Sequence, residues 1–262
     1  DCAEPELRKW YTGSTLVDCI DSFQVVERML ERPARFFVTD AIGRGDSGVA
    51  GFVLAGKVEG GIIAVGDQLL VMPTNQLVTV KSLRLLNGTT PHVVCDGDNV
   101  ELTVTGQSDD AALAVGHILC DPQRPVQLVR KFRGQVVVFS PPRPLLKGDH
   151  FLLHMHSVSV QCRFSKIRAI VDRKGDVIQK RPRLVAQKAN ALVDIRLERP
   201  LCMDLYAESA QFGRFMLRTE ARTVAAGIVT LIISAGPKKQ KNDLSMSTGS
   251  TAQKEKRKSP RK

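Results

Sequence analysis

Gly213-Arg214-Phe215-Met216-Leu217-Arg218 reads as a turn leading into a β-strand. In extended backbone, successive side chains point to opposite faces. Arg214, Met216 and Arg218 then share one face, and Phe215 and Leu217 the other. The second face is apolar enough for a core. The first is a cationic edge that suits either plain solvent or a carboxylate or phosphate partner. Arg222 lies close by in the chain.

The same texture extends outward from this stretch. Short runs rich in Val, Ile, Leu and Phe alternate with Gly, Asn, Asp and Pro, the signature of an all-β chain. Upstream, candidate strands are Arg35–Thr39, Gly51–Lys57, Gln68–Met72, Leu77–Leu85, Asn99–Val104 and Ala114–Leu119. Eight glycines between Gly43 and Gly66 suit turns and sheet corners and disfavour helix. The Pro-flanked segment 121–125 reads as a hinge or linker. Beyond it come Lys131–Phe139, Asp149–His156, Gln161–Val171, Ala191–Leu197, Cys202–Leu205, Phe215–Arg218 and Val224–Ile233. Two consecutive barrels or sandwiches over 33–123 and 124–235 account for this pattern. Residues 14–29 are the best helix candidate, with Ser14 and Thr15 as caps and Leu16, Val17, Ile20 and Phe23 at helical spacing, before Pro33.

Composition narrows the function classes. The chain has 262 residues, 43% hydrophobic and 25% charged, as in a globular protein. With 5% aromatics and one Trp, base stacking on aromatic platforms is a poor fit. Of the formal net charge of +11, residues 236–262 hold +7, from nine basic and two acidic side chains. That tail carries no apolar run and is expected to be disordered. Cysteines 2, 19, 95, 120, 162 and 202 form no C-x-x-C pair and read as free, buried thiols of a reducing compartment. The longest apolar run, Ala225 to Ile233, is far shorter than the roughly 20 residues of a membrane-spanning helix. A soluble, cytoplasmic monomer is expected. The first residue is Asp rather than Met, as in a fragment or processed product.

Catalytic motifs fail on chemistry. Gly43-Arg-Gly-Asp-Ser-Gly48 spaces its outer glycines like a phosphate loop, but Val49 and Ala50 stand where Lys and Ser/Thr are needed. Asp40-Ala-Ile-Gly43 spells D-x-x-G, yet no guanine-recognising N-K-x-D exists. No nucleophile elbow marks an activated serine. His154 and His156 alternate on a strand and would share a face, but neither His150 nor Cys162 sits at a convincing offset for a third metal ligand.

The opening hexapeptide, followed by Thr223-Val-Ala-Ala-Gly227, resembles the last barrel of translational GTPases. These include the tRNA-carrying elongation factor, the release-factor GTPase and the Hbs-type ribosome-rescue GTPase. Trp10-Tyr11-Thr-Gly13-Ser-Thr15-Leu16 and Ile20-Asp21-Ser22-Phe23 resemble the close of the family's G domain, which places 1–32 as its end and a linker helix. Gly56-Lys57-Val58-Glu59, Gly66-Asp67 and Gly97-Asp98-Asn99-Val100 are similar to its second domain. The motifs run in the family's order over residues 10–233. Leu69-Leu70-Val71-Met72-Pro73, Asn190-Ala191-Leu192-Val193 and Met216 look most like the Hbs branch.

The resemblance implies two β-barrels, translation-factor domains II and III, with a short N-terminal helix and a basic tail that the family does not usually carry. It implies no cofactor in this chain; GTP and magnesium would belong to an upstream G domain of the intact parent. It implies a Pelota-type, release-factor-like partner held by Gly213, Arg214, Phe215, Met216, Leu217, Arg218 and Arg222, and a ribosome contacted through small-subunit RNA. The rivals are the same domains of a release-factor GTPase or aminoacyl-tRNA carrier, and a stand-alone RNA-binding β-barrel protein with a basic arm.

Overall fold

The computed structural model describes residues 9–11, 13–24, 27–44, 51–106, 113–139, 141, 143–172, 175–219 and 222–235. Most of the Gly43–Gly48 loop and the whole basic tail lie outside the described residues.

The first barrel is built from β1 (Arg35–Arg44), β2 (Phe52–Val58), β3 (Ile62–Ala64), β4 (Gln68–Met72), β5 (Gln76–Leu85), β6 (Val93–Cys95), β7 (Asn99–Gly106) and β8 (Ile118–Cys120). Six of these close in the order β1-β2-β7-β5-β4-β8, and β3 pairs with β6 beside them. The second comprises β9 (Gln127–Val138), β10 (Leu145–Leu146), β11 (His150–Met155), β12 (Val158–Val171), β13 (Val177–Lys180), β14 (Leu184–Val185), β15 (Asn190–Met203), β16 (Arg214–Thr219) and β17 (Arg222–Ala235). Here β11-β16-β17-β9-β15-β12 closes through the β11–β12 pairing, with β13 appended to β12. Each barrel encloses its own apolar core, around Phe36, Leu54 and Leu102 in the first and Phe132, Phe164 and Ile195 in the second. Closure removes the exposed edges that an open sheet would leave.

Local departures from the sequence reading have local causes. The expected strands Ala191–Leu197 and Cys202–Leu205 are one strand, β15, bulged between Arg196 and Leu201, where Pro200 could not join a regular ladder. Residues 114–117 form a turn, with the His117 N–H donating to the Ala114 carbonyl, so β8 begins only at Ile118. The helix expected over 14–29 is one short helix, α1 (Leu16–Asp21). Thr15 starts it with a capping box, accepting from the Asp18 amide while the Asp18 carboxylate accepts from the Thr15 amide. It stops at Ser22 because the following chain is held elsewhere: Arg28 pairs with Asp98 at 2.9 Å and the Met29 amide donates to Asp96. None of its residues is buried, and Leu16 is 76% exposed.

The two barrels share a third, smaller core. Phe37, Met72, Ile118 and Cys120 of the first meet Cys202 and Phe212 of the second, with Val126 of the linker between. Beside it Arg35 pairs with Asp204 at 3.4 Å, their side chains only 8% and 7% exposed. Arg35 also donates to the carbonyl of Arg124 at 2.7 Å, tying the linker to both. Of the two readings, segment 121–125 is thus the linker, pinned by the Arg35 side chain, and not a free hinge. Cys120, Cys162 and Cys202 are buried free thiols; burial pushes Cys162 and Cys202 up to about 12, which keeps them protonated and unreactive.

Candidate partner-binding face

β16 lies between β11 and β17, with Met216 opposite His154 on one side and Ala226 on the other. Its alternation follows the sequence expectation. Phe215 and Leu217 are buried in the second core, and Arg214 and Met216 point outward, Met216 49% exposed. Phe215 packs edge-on against Phe132 with ring centroids 5.2 Å apart. Its ring fills the space above two glycines: a Cβ at either Gly134 or Gly227 would fall 2.7 Å from its Cζ. Gly213 is needed for a different close approach, since a Cβ there would collide with the backbone of Tyr206.

The outward residues line two grooves rather than one edge. The first, about 530 Å³, holds Arg214 and Met216 with Gln135, Val137, His154 and Ile228. The Arg214 guanidinium lies over the Tyr206 ring, 5.4 Å from its centroid, and donates to the Tyr206 hydroxyl at 3.2 Å. Stacking fixes the direction of an otherwise flexible charge at the groove wall. Arg218 lines the second groove, about 600 Å³, with His150, Leu152 and Gln161. Its Nε is buried with no hydrogen-bond partner among the described residues. A guanidinium N–H buried in this way is costly unless an acceptor reaches it. Arg222 sits across the β16–β17 turn, opposite Thr219, and lines neither groove.

The paired-histidine arrangement does not form. His154 remains on the strand, its Nδ1 2.9 Å from the Ser159 hydroxyl. His156 lies in the β11–β12 turn at φ 50° and stacks on Phe37, centroids 4.4 Å apart. Among the described residues no group of three potential ligands could hold a metal ion.

Residues 131–230 match the family model described as GTP-eEF1A C-terminal domain-like. Protein HBS1 of Drosophila melanogaster is 36% identical over 230 residues, which covers 87% of this chain and 34% of that protein. Elongation factor 1-alpha of Saccharolobus solfataricus is 31% identical, over 86% of this chain and 51% of that protein. The chain also resembles the crystal structure of Sup35 complexed with GDP, with a TM-score of 0.72 and 27% identity over 86% of this chain and 54% of that one. The chain belongs to the translational GTPase family. It carries β-barrel domains of that family and spans about a third to a half of the length of these relatives.

No helix among the described residues is long and apolar enough to cross a membrane. What sequence reasoning missed at this face is the contribution of other strands. Gln135, Val137 and Ile228 reach the groove only through strand order, and no local pattern marks them.

Proposed function

We propose that this chain is the docking part of an Hbs-like translational GTPase of the cytoplasm, which delivers a Pelota-type, release-factor-like partner to stalled ribosomes. GTP hydrolysis would reside in a G domain outside these residues. The barrels do no chemistry; they hold the partner and transmit orientation, and the buried Arg35–Asp204 tie supports their acting as one lever. The observation that carries the partner site is the pair of grooves on one strand: an apolar floor at Met216 and Val137, a stacked cation at Arg214, and the Arg218 side chain on the wall of the second groove. Such a surface suits an apolar segment flanked by carboxylates. The same face would serve a release factor if the chain belonged to the release-factor branch.

Pull-down with Pelota-type and release-factor proteins tests both readings. Arg214→Ala combined with Arg218→Ala should abolish capture of the true partner without lowering the melting temperature. Arg222→Ala, outside both grooves, should leave capture unchanged. Undiminished capture by the double variant removes the partner assignment.

A further inference from the structure

We propose that the first barrel assembles the Arg214 groove of the second, with His156 as the positioning residue between them, a role that rests on the reading of β16 as the partner face. Among the described residues, every side chain that lines this groove belongs to the second barrel. Two pieces of its wall nevertheless lean on the first. His156, in the β11–β12 turn, lines the groove and stacks on Phe37 of β1, with ring centroids 4.4 Å apart. Gln211 lines it from the loop before β16, and its neighbour Phe212 is buried in the core that the barrels share.

The two pieces also hold each other. The His156 ring centroid lies 4.9 Å from that of Phe212, and a hydrogen bond joins the imidazole to the Gln211 backbone. His156 adopts φ 50°, a left-handed conformation that a residue other than glycine holds only when its surroundings fix it. Phe37 and Phe212 supply those surroundings, and Phe37 comes from the other barrel. The far end of the turn meets the first barrel as well, since a Cβ at Gly116 would collide with the Val158 side chain. Both ends of the β11–β12 turn are therefore seated on the first barrel.

What the turn fixes reaches β16 through a single strand. β11 ends at Met155, which lines the groove, and it pairs with β16 so that His154 stands opposite Met216. Its register with β12 sets Met155 opposite Val158 and His154 opposite Ser159. A shift of the turn therefore moves the strand that flanks Met216. Close-packed rings and hydrogen-bonded strands shift as units rather than deform continuously. Without the Phe37 ring the left-handed turn would relax, and the groove wall with it. If His156 merely filled the junction, the same loss would lower stability and leave the groove unchanged.

Methionine methyl NMR on the full chain tests this without any partner, because Met216 is a native probe in the groove. Phe37→Leu, which keeps the junction apolar but removes the ring, should shift the Met216 methyl resonance. In a His156→Asn background, chosen because asparagine tolerates left-handed backbone, the same change should shift it far less, since coupled positions are not additive. Leu54→Val, deep in the first barrel's own core, should lower the melting temperature and leave Met216 in place. An unmoved Met216 in Phe37→Leu overturns the proposal, as does an equal shift in the two backgrounds or in Leu54→Val. Capture of a Pelota-type protein should weaken about 5-fold or more in Phe37→Leu, although Phe37 lines neither groove. Undiminished capture by that variant overturns the proposal too. If the wild-type chain captures no such protein, the partner reading fails, and the methyl shifts still decide whether the first barrel sets the groove.

Discussion

The ring of Phe215 occupies the volume that any side chain at Gly227 would need: a Cβ there would lie 2.7 Å from the ring Cζ and equally close to the Gln135 carbonyl. The partner-facing strand is thus seated by its inward residue. Arg214 and Met216 take their outward positions because Phe215 is locked between Phe132 and two glycines.

Gly227→Ala should accordingly destabilise the second barrel by about 1–3 kcal/mol, the usual cost of overpacking a well-filled core. Urea unfolding measures it. Adding Phe215→Leu, which frees ring volume, should recover part of the loss made by Gly227→Ala. If the alanine variant is as stable as wild type, the ring is not the constraint.

Arg35 and Asp204 form a buried ion pair between the barrels, a contact that substitution can leave half-made. Removing one member strands the other's charge. Arg35→Ala or Asp204→Ala should each cost about 3–5 kcal/mol, whereas Arg35→Met with Asp204→Leu should cost far less. A single melting transition should split into two when only one partner is removed, since each barrel retains its own core. Coincident loss in all three variants would instead mean that packing alone joins the barrels.

His156 makes the same junction sensitive to acid. Burial against Phe37 and Phe212 lowers its pKa below the ordinary value of about 6.5, and Lys57 lowers it further, while a backbone hydrogen bond at Gln211 acts the other way. The folded state thus binds this proton less readily than the unfolded state does. Its contribution is complete above about pH 6.5 and is lost as pH falls towards the lowered folded value. His117, also lowered by burial, acts in the same direction. Denaturation midpoints should drop between pH 7.5 and pH 5.5, and His156→Phe should reduce that drop without removing it. An identical pH profile for His156→Phe would exclude this residue as its source.

The basis for each of these expectations lies unevenly between sequence and fold. Alternation in Gly213–Arg218 was enough to assign Phe215 and Leu217 to the core and Arg214 and Met216 to the surface, because strand geometry has a period of two whatever surrounds it. Glycine and proline punctuation likewise marked nearly every long strand, since turns need those residues locally. The helix was overestimated because its apolar spacing is real but has nothing to pack against, whereas Arg28 and Met29 find partners at Asp98 and Asp96. His154 and His156 parted company because the chain turns between them, at a position whose positive φ no alternation rule anticipates.

The sequence by itself determined the class of fold, the family and the inward or outward sense of the Arg214–Arg218 strand, all consequences of local periodicity and order along the chain. Only the tertiary structure decided which outward residues become neighbours. Barrel closure sets β9 beside β15 and β17, and that pairing builds the groove at Arg214 and neutralises Asp194 between Arg133 and Arg168. The reason is physical: hydrogen-bonded register joins residues tens of positions apart, and nothing in a local window of sequence carries that information.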